Sequence, residues 1–153
     1  MAACEPMNWR RPSPYLVLSA AYLLVGLLIA KVSYSLINAD GVSYIQVARH
    51  YVAGDFDLAI NSYWGPLISW LLVPLVALGI DPVLGFKLLN VLFGLVAAFG
   101  IGALVRRLSG PDMALVGFTA MLLLVLRVLA APLTRDLLPT AVMAWYFASA
   151  LCV

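Results

Sequence analysis

Long runs of apolar residues dominate this sequence, at positions 15–37, 84–105 and 113–131, with a fourth run from 138 to 153. A helix needs about 20 apolar residues to cross roughly 30 Å of hydrocarbon, so the first three runs are long enough and the fourth is short. Hydrophobic residues make up 65% of the chain and charged residues 10%, against about 45–50% and about 25% in soluble domains. The sequence therefore predicts an all-α membrane protein, a polytopic transmembrane helix bundle of about four spans.

The N-terminal segment predicts the orientation of the chain. Arg10 and Arg11 precede the first apolar run, and cationic residues beside a span favour the cytoplasmic side. We therefore expect residues 1–14 to form a cytoplasmic tail and residues 15–153 a single transmembrane domain of the inner (plasma) membrane. A cleaved signal peptide is the alternative, but the run is long for one and lacks a good cleavage site at its end.

The apolar segment at positions 66–79 decides which loops lie outside. It is short for a span and contains Pro74, which suits an interfacial helix. If it does not cross, Arg106 and Arg107 return to the cytoplasmic side, as the positive-inside rule prefers. We therefore expect residues 38–82 to form one large external loop, with crossing of 66–79 as the alternative.

The external loop begins with a predicted amphipathic helix at positions 41–53, which has apolar residues at three- and four-residue steps. The pattern suits a juxtamembrane helix that lies along the membrane surface. Asp40 stands directly before it and fits an N-cap, while Gly54 is well placed to end it. Asp136, before the fourth apolar run, fits a cap of the same kind. Both carboxylates therefore have a structural interpretation.

Other polar residues of the apolar runs also have structural interpretations. Snorkelling toward the interface accounts for the cations near the outer boundary, which are Lys31, Lys87, Arg127 and Arg135. Asn90 fits an interhelical hydrogen bond. Polar residues nevertheless gather on the predicted outer face, and this clustering indicates a site.

The order of motifs along the chain carries a family resemblance. After the first span come Asp40 and Tyr44, then Gly54-Asp55, the stretch Tyr-Trp-Gly-Pro-Leu at 63–67, the turn Arg-Arg-Leu-Ser-Gly at 106–110, and Arg135-Asp136. This order resembles the start of the GT-C membrane glycosyltransferases, which include protein O-mannosyltransferases, oligosaccharyltransferase catalytic subunits and lipid A aminoarabinose transferases. Where that superfamily commonly has a second acidic residue, this chain has Gly41. The resemblance implies the N-terminal portion of such an enzyme, a fragment or truncated form that is inactive alone.

The resemblance also implies a function and a set of site residues. A sugar would pass from a polyprenyl-phosphate donor to an acceptor hydroxyl at the outer membrane face. Asp40, as general base, and Asp136 would be catalytic. The remaining implied residues are Arg49, Arg127 and Arg135 for the donor phosphate, and Tyr44, His50, Tyr63 and Trp64 in the substrate loop. No metal or other cofactor is required, although a divalent metal stays open.

The expected partners are membrane lipid and the lipid-linked sugar, with the acceptor and the oligomeric state left open. A net charge of +2 with scattered basic residues gives no nucleic-acid surface. The alternative function is a small non-catalytic four-span protein that acts as an assembly or lipid-handling partner. In that case Asp40 and Asp136 would serve only as helix caps.

Overall fold

The computed structural model describes residues 14–60, 65–131 and 136–150. These residues form α1 (Pro14–Val32), α2 (Ala39–Ala53), α3 (Phe56–Ala59), α4 (Leu67–Ala77), α5 (Pro82–Ser109), α6 (Pro111–Leu129) and α7 (Leu138–Ala150). Three of them, α1, α5 and α6, are long and apolar enough to cross a membrane. The prediction of an all-α membrane helix bundle is therefore confirmed, while α7 is described over only 13 residues.

The long helices pack side by side around α5. The Tyr22 hydroxyl of α1 donates to the Val91 carbonyl of α5 at 2.8 Å, and further along α1 Ser33 meets Lys87 of α5. The two helices are therefore antiparallel. The indole of Trp145 on α7 donates to the Val96 carbonyl of α5 at 2.9 Å. Nearer the start of both helices, the side-chain oxygen of Asn90 accepts from the Leu137 amide. The two helices are therefore parallel.

Small residues of α5 allow its neighbours to come close. A Cβ atom added to Gly94 would collide with the Tyr22 hydroxyl of α1 and with Val125 of α6. A Cβ atom at Gly102 would lie 3.3 Å from the Cβ of Phe118. Gly102 therefore allows α6 to approach α5 closely, and the main hydrophobic core lies where α1, α5 and α6 meet.

The first span ends earlier than the apolar run that predicted it. The run extends to residue 37, but α1 ends at Val32. The amide of Leu36 donates to the Ser33 carbonyl at 2.9 Å, so the chain makes a turn here. In this turn Leu36 is exposed, while Ile37 packs against the cluster that α2, α4 and α5 form. As a result, the connection between α1 and α2 is short and stays close to α5.

The helices of the predicted external loop pack on the end of the bundle where α5 begins. Ile45 and Ala48 of α2 are buried in one cluster with Ile68 and Leu72 of α4 and Phe86 of α5. With 11 residues at about 1.5 Å each, α4 is about 16 Å long, too short to span roughly 30 Å of hydrocarbon. Because Ile45 and Ala48 pack against α4, that part of the apolar face of α2 is covered by protein rather than by lipid.

Candidate functional site

The first turn of α2 carries Asp40 in an exposed position. The helix begins at Ala39 and its N-cap is Asn38, whose side-chain oxygen accepts a hydrogen bond from the Gly41 amide at 3.0 Å. The prediction that Asp40 caps this helix is therefore wrong, because the helix starts earlier than expected. A carboxylate in the first turn still interacts favourably with the helix dipole, but Asp40 is not needed as the capping group.

The C-terminal end of α2 matches its prediction. Gly54 has a φ of 81°, in the left-handed region that favours glycine. The amide of Asp55 closes the helix by donating to the His50 carbonyl at 3.0 Å. Nδ1 of His50 also lies 3.8 Å from a carboxylate oxygen of Asp55. His50 is therefore associated with the end of the helix, away from Asp40 in the first turn.

Phe86 of α5 supports the start of α2. Its ring stacks on that of Tyr44 with centroids 6.3 Å apart and an interplanar angle of 27°. On the same side of α2, a Cβ atom added to Gly41 would lie only 2.9 Å from Cε1 of Phe86. Any larger side chain at this position would force Phe86 or its neighbours to shift. Glycine at this position lets α2 rest directly on the aromatic ring.

Asn90 of α5 supports the segment that enters α7. Its side-chain oxygen accepts a hydrogen bond from the Leu137 amide at 2.9 Å, and its side-chain amide donates to the Phe86 carbonyl at 3.0 Å. Asn90 is 1% exposed. The predicted bridging role of Asn90 is confirmed, with the backbone beside Asp136 as its partner. Asp136 in turn accepts a hydrogen bond from the Leu138 amide at 2.9 Å, as predicted for a capping carboxylate.

These contacts bring Asp40, Tyr44 and Asp136 together at one end of the bundle. Burial raises the pKa of Asp136; the hydrogen bond from the Leu138 amide opposes this rise, and the charge of Asp40 adds to it. Burial likewise raises the pKa of the Tyr44 phenol, followed by the charges of Asp136 and Asp40. The cluster therefore offers a half-buried carboxyl group suited to accepting a proton and a phenol that stays protonated as a donor.

The cations that were expected to bind a phosphate lie in different places. Arg49 is exposed on α2, and its charge contributes to the lowered pKa of Asp81, after hydrogen bonds to Asp81 from the Leu84 amide and the Tyr34 hydroxyl. Arg127 is exposed in the last turn of α6, at the end of the bundle that holds the cluster. Of the implied substrate and phosphate residues, Arg135, Tyr63 and Trp64 lie outside the described residues.

Among the described cations of this region, Lys87 is the one that the bundle encloses. It is 2% exposed, and its ammonium donates to the Leu36 carbonyl at 2.8 Å and to the Ser33 hydroxyl at 3.2 Å. The prediction that Lys87 snorkels to the interface is wrong, because the turn after α1 supplies polar partners inside the bundle. Across 14–60, 65–131 and 136–150, no carboxylate lies within ion-pair distance of it.

Sequence reasoning did not assign Asn38, Phe86 or Lys87 to the site. Asn38 was detectable, since asparagine is among the best N-cap residues. Phe86 and Lys87 carry no local signal, because their importance comes from contacts with distant segments. The described ranges contain no group of three or more His, Cys, Asp or Glu side chains that could hold a metal ion.

Comparison with known proteins gives no relative. No protein-family model matches the chain, and neither a curated protein nor a solved structure is significantly similar to it.

Proposed function

We propose that this chain is a glycosyltransferase-type integral membrane protein of the GT-C kind. In this proposal it transfers a sugar from a polyprenyl-phosphate donor to an acceptor hydroxyl at the outer face of the inner (plasma) membrane, with its N-terminus in the cytoplasm. The observation that carries the proposal is that Asp40 and Tyr44 of α2 lie near enough to Asp136, far along the chain, for the charges of the two carboxylates to act within the group. The motif order singles out all three residues.

The proposed reaction is an inverting displacement at the anomeric carbon. The acceptor oxygen forms a bond to that carbon while the bond from the carbon to the phosphate oxygen breaks, and its electron pair leaves with the polyprenyl phosphate. The acceptor's proton must go to a nearby base. Positioned proton transfer of this kind accelerates a reaction by about 10²–10⁴-fold.

Asp136 is the better placed proton acceptor of the two carboxylates. It is half-buried and its pKa is raised, which brings a carboxyl group closer to the working pH of an enzyme. Asp40 is exposed, and in this proposal its charge tunes Asp136 and its carboxylate orients the acceptor. The Tyr44 phenol, kept protonated, donates a hydrogen bond to the sugar or the acceptor.

A cation must neutralise the departing lipid phosphate. Arg127 suits this role best among the described cations, because it is exposed on the end of α6 nearest the cluster. Lys87 is enclosed and already donates to two oxygen atoms. An arginine at such a position can contact a phosphate through two parallel hydrogen bonds. We therefore assign the donor phosphate to Arg127 in the described part of the chain.

The test uses the protein expressed from its full reading frame and held in lipid nanodiscs. Polyprenyl-phosphate mannose with a radiolabelled sugar serves as donor probe, and the release of label from lipid is measured. We expect Asp136→Asn to reduce release by about 100-fold or more, with Asp57→Asn, an exposed carboxylate on α3, as the matched control. Undiminished release in Asp136→Asn and Asp40→Asn would sink the proposal.

A non-catalytic assembly or lipid-handling partner is the second candidate. One observation favours it: the Asp136 carboxylate already has a structural use, as acceptor for the Leu138 amide. Asparagine is itself a good capping residue and can accept the same hydrogen bond. If this candidate is right, Asp136→Asn will be silent in every assay, including association with other membrane proteins.

A further inference from the structure

We propose that Lys87 and Asn90 are positioning residues, which hold the segments carrying Asp40 and Asp136 at the correct separation. The inference rests on the proposed function for its effect on transfer, but its geometric content stands apart from any reaction. Both side chains lie in the first turns of α5, the helix that also supplies Phe86 to α2. One helix therefore contacts both halves of the candidate site.

Lys87 holds the entry to α2. Its two hydrogen bonds go to Ser33 and to the Leu36 carbonyl, which belong to the turn between α1 and α2. The Ser33 hydroxyl also donates to the Ile29 carbonyl at 2.8 Å, so the lysine is tied back to the last turns of α1. Asn38, the N-cap of α2, follows two residues after Leu36. A movement of this turn would displace the first turn of α2 and with it Asp40.

The burial of Lys87 opposes movement of the turn to which its hydrogen bonds go. Among the described residues Lys87 has no carboxylate partner, so its buried ammonium group depends on its hydrogen bonds to offset the cost of desolvation. Movement of the Leu36 carbonyl away from Lys87 would remove one of its two acceptors. Displacement of the turn between α1 and α2 is therefore energetically unfavourable.

Asn90 holds the entry to α7 in the same way. Its oxygen accepts from the Leu137 amide, and its own amide is fixed to the Phe86 carbonyl of the preceding turn. Asp136 is the residue before Leu137, so the acceptor at Asn90 controls where its carboxylate lies. A buried backbone amide that lost this acceptor would cost about 1–3 kcal/mol. The segment therefore has one strongly preferred position.

The first test measures the separation of the two segments by pulsed electron resonance. Spin labels are attached at Gln46→Cys on α2 and Val142→Cys on α7, both exposed positions, with Cys4 and Cys152 replaced. Lys87→Met and Asn90→Leu should each displace or broaden the distance distribution. The distribution should stay as in the unsubstituted protein in two controls. These are Lys31→Met, an exposed lysine, and Thr119→Val, whose hydroxyl bonds only its own helix.

The second test follows the titration of Asp136 by ¹³C NMR of labelled aspartate, assigned with Asp136→Asn. Displacement from Asp40 and from its half-buried position should lower the pKa of Asp136 in Lys87→Met and Asn90→Leu. Lys87→Arg, which keeps the donors, should restore it. Should Asn90→Leu fail to fold, Asn90→Ser tests the same bond with a smaller side chain. If transfer is observed, kcat should fall by about 100-fold with little change in KM, the typical effect of a misplaced catalytic group.

The outcomes separate the two proposals. Unchanged distances and an unchanged Asp136 titration in both variants would overturn the positioning role, whatever happens to activity. Equal disturbance in the Lys31→Met and Thr119→Val controls would overturn it as well. Altered distances and titration in a protein that never transfers a sugar would support the positioning role and count against the glycosyltransferase.

Discussion

Asp40 lies close enough to Asp136 for its charge to raise the pKa of that carboxyl group. The two residues come from the start of α2 and the entry to α7, and neither shares an element with the other. Within the described ranges, the charges that raise the pKa of Asp136 and of Tyr44 are those of Asp40 and Asp136. A change at Asp40 should therefore be measurable in the pKa of Asp136.

The first prediction concerns this coupling. In Asp40→Asn the neighbouring negative charge is gone, so one cause that raises the pKa of Asp136 is removed and that pKa should fall. The midpoint of Asp136, followed by ¹³C NMR or by the acidic limb of a pH–rate profile, should move to lower pH. Asp57→Asn removes a charge outside the cluster and should leave the midpoint in place. A midpoint that moves equally in both variants would contradict the coupling.

The second prediction concerns stability at the same residue. Because the folded-state pKa of Asp136 is raised, its protonated form is favoured on folding. That contribution is fully present below the ordinary pKa and is lost as the pH rises through the raised value. At neutral pH, Asp136→Asn should therefore be at least as stable as the unsubstituted protein, since it keeps an acceptor for the Leu138 amide and removes a half-buried charge. Thermal unfolding in detergent against pH checks this.

A loss of stability in Asp136→Asn at neutral pH would contradict that assignment. It would mean that the ionised carboxylate is favoured in the folded protein. The hydrogen bond from Leu138 would then outweigh burial and the charge of Asp40.

The third prediction concerns Gly41. A methyl group there would lie 2.9 Å from each of Phe86, Ile37 and the Asn38 cap oxygen. We expect Gly41→Ala to lower the free energy of unfolding by about 1–3 kcal/mol, the usual cost of overpacking, despite the better helix propensity of alanine. Gly65→Ala is the matched control, because nothing lies within 4 Å of a Cβ atom there. Equal thermal stability of the two variants would contradict the close contact.

The fourth prediction concerns the cap of α5. Asp81 accepts a hydrogen bond from the Leu84 amide at 2.9 Å, and this bond together with that from Tyr34 lowers its pKa. Asp81→Ala should cost about 0.5–2 kcal/mol of stability, as loss of an N-cap does. Asp81→Asn should cost less, because it still caps the helix.

The pH dependence of the same cap follows from its lowered pKa. The stability that ionised Asp81 contributes is present above the ordinary pKa of an aspartate and is lost as the pH falls through the lowered value. The difference in unfolding temperature between the unsubstituted protein and Asp81→Asn should therefore shrink in acid. A difference that grows in acid would be inconsistent with this assignment.

The fifth prediction concerns membrane topology. Single cysteines at Gln46 on α2 and Ser109 at the end of α5 occupy exposed positions at opposite ends of the bundle. In a background without Cys4 and Cys152, an impermeant thiol reagent applied to intact cells should label Gln46→Cys and spare Ser109→Cys. Labelling in permeabilised cells controls for reactivity. The reverse pattern would place Asp40 and Asp136 in the cytoplasm.

The helices were largely predictable because long apolar runs are a strong, local signal. The structure extends the predicted 84–105 span to Pro82–Ser109, and Asp81 and Gly110 set its bounds through capping and a turn. The first span was overestimated because Leu36 and Ile37 extend the apolar run past Val32, while the backbone already turns at Ser33. An apolar composition does not show where the backbone leaves the helix and turns.

The site was predictable only in part. The motif order singled out Asp40 and Asp136, and the structure has them near enough for the charge of Asp40 to act on Asp136; their catalytic roles stay a prediction. The roles of Lys87 and Phe86 depend on the Leu36 carbonyl and the Tyr44 ring, which are distant in sequence. From the sequence alone, a lysine in an apolar run is predicted to snorkel. The acceptors of Lys87, which are the Ser33 hydroxyl and the Leu36 carbonyl, become known only with the fold.

The bond between Asn90 and Leu137 also has a consequence for biosynthesis. Chains are made from the N-terminus, so α5 enters the membrane before Leu137 has been synthesised. During that interval the side-chain oxygen of Asn90 lacks its backbone partner. Arrival of α7 supplies the missing amide and delivers Asp136 in the same step. The two carboxylates therefore come together only after residue 136 has been synthesised, and a nascent chain that stalls before that point lacks the pair.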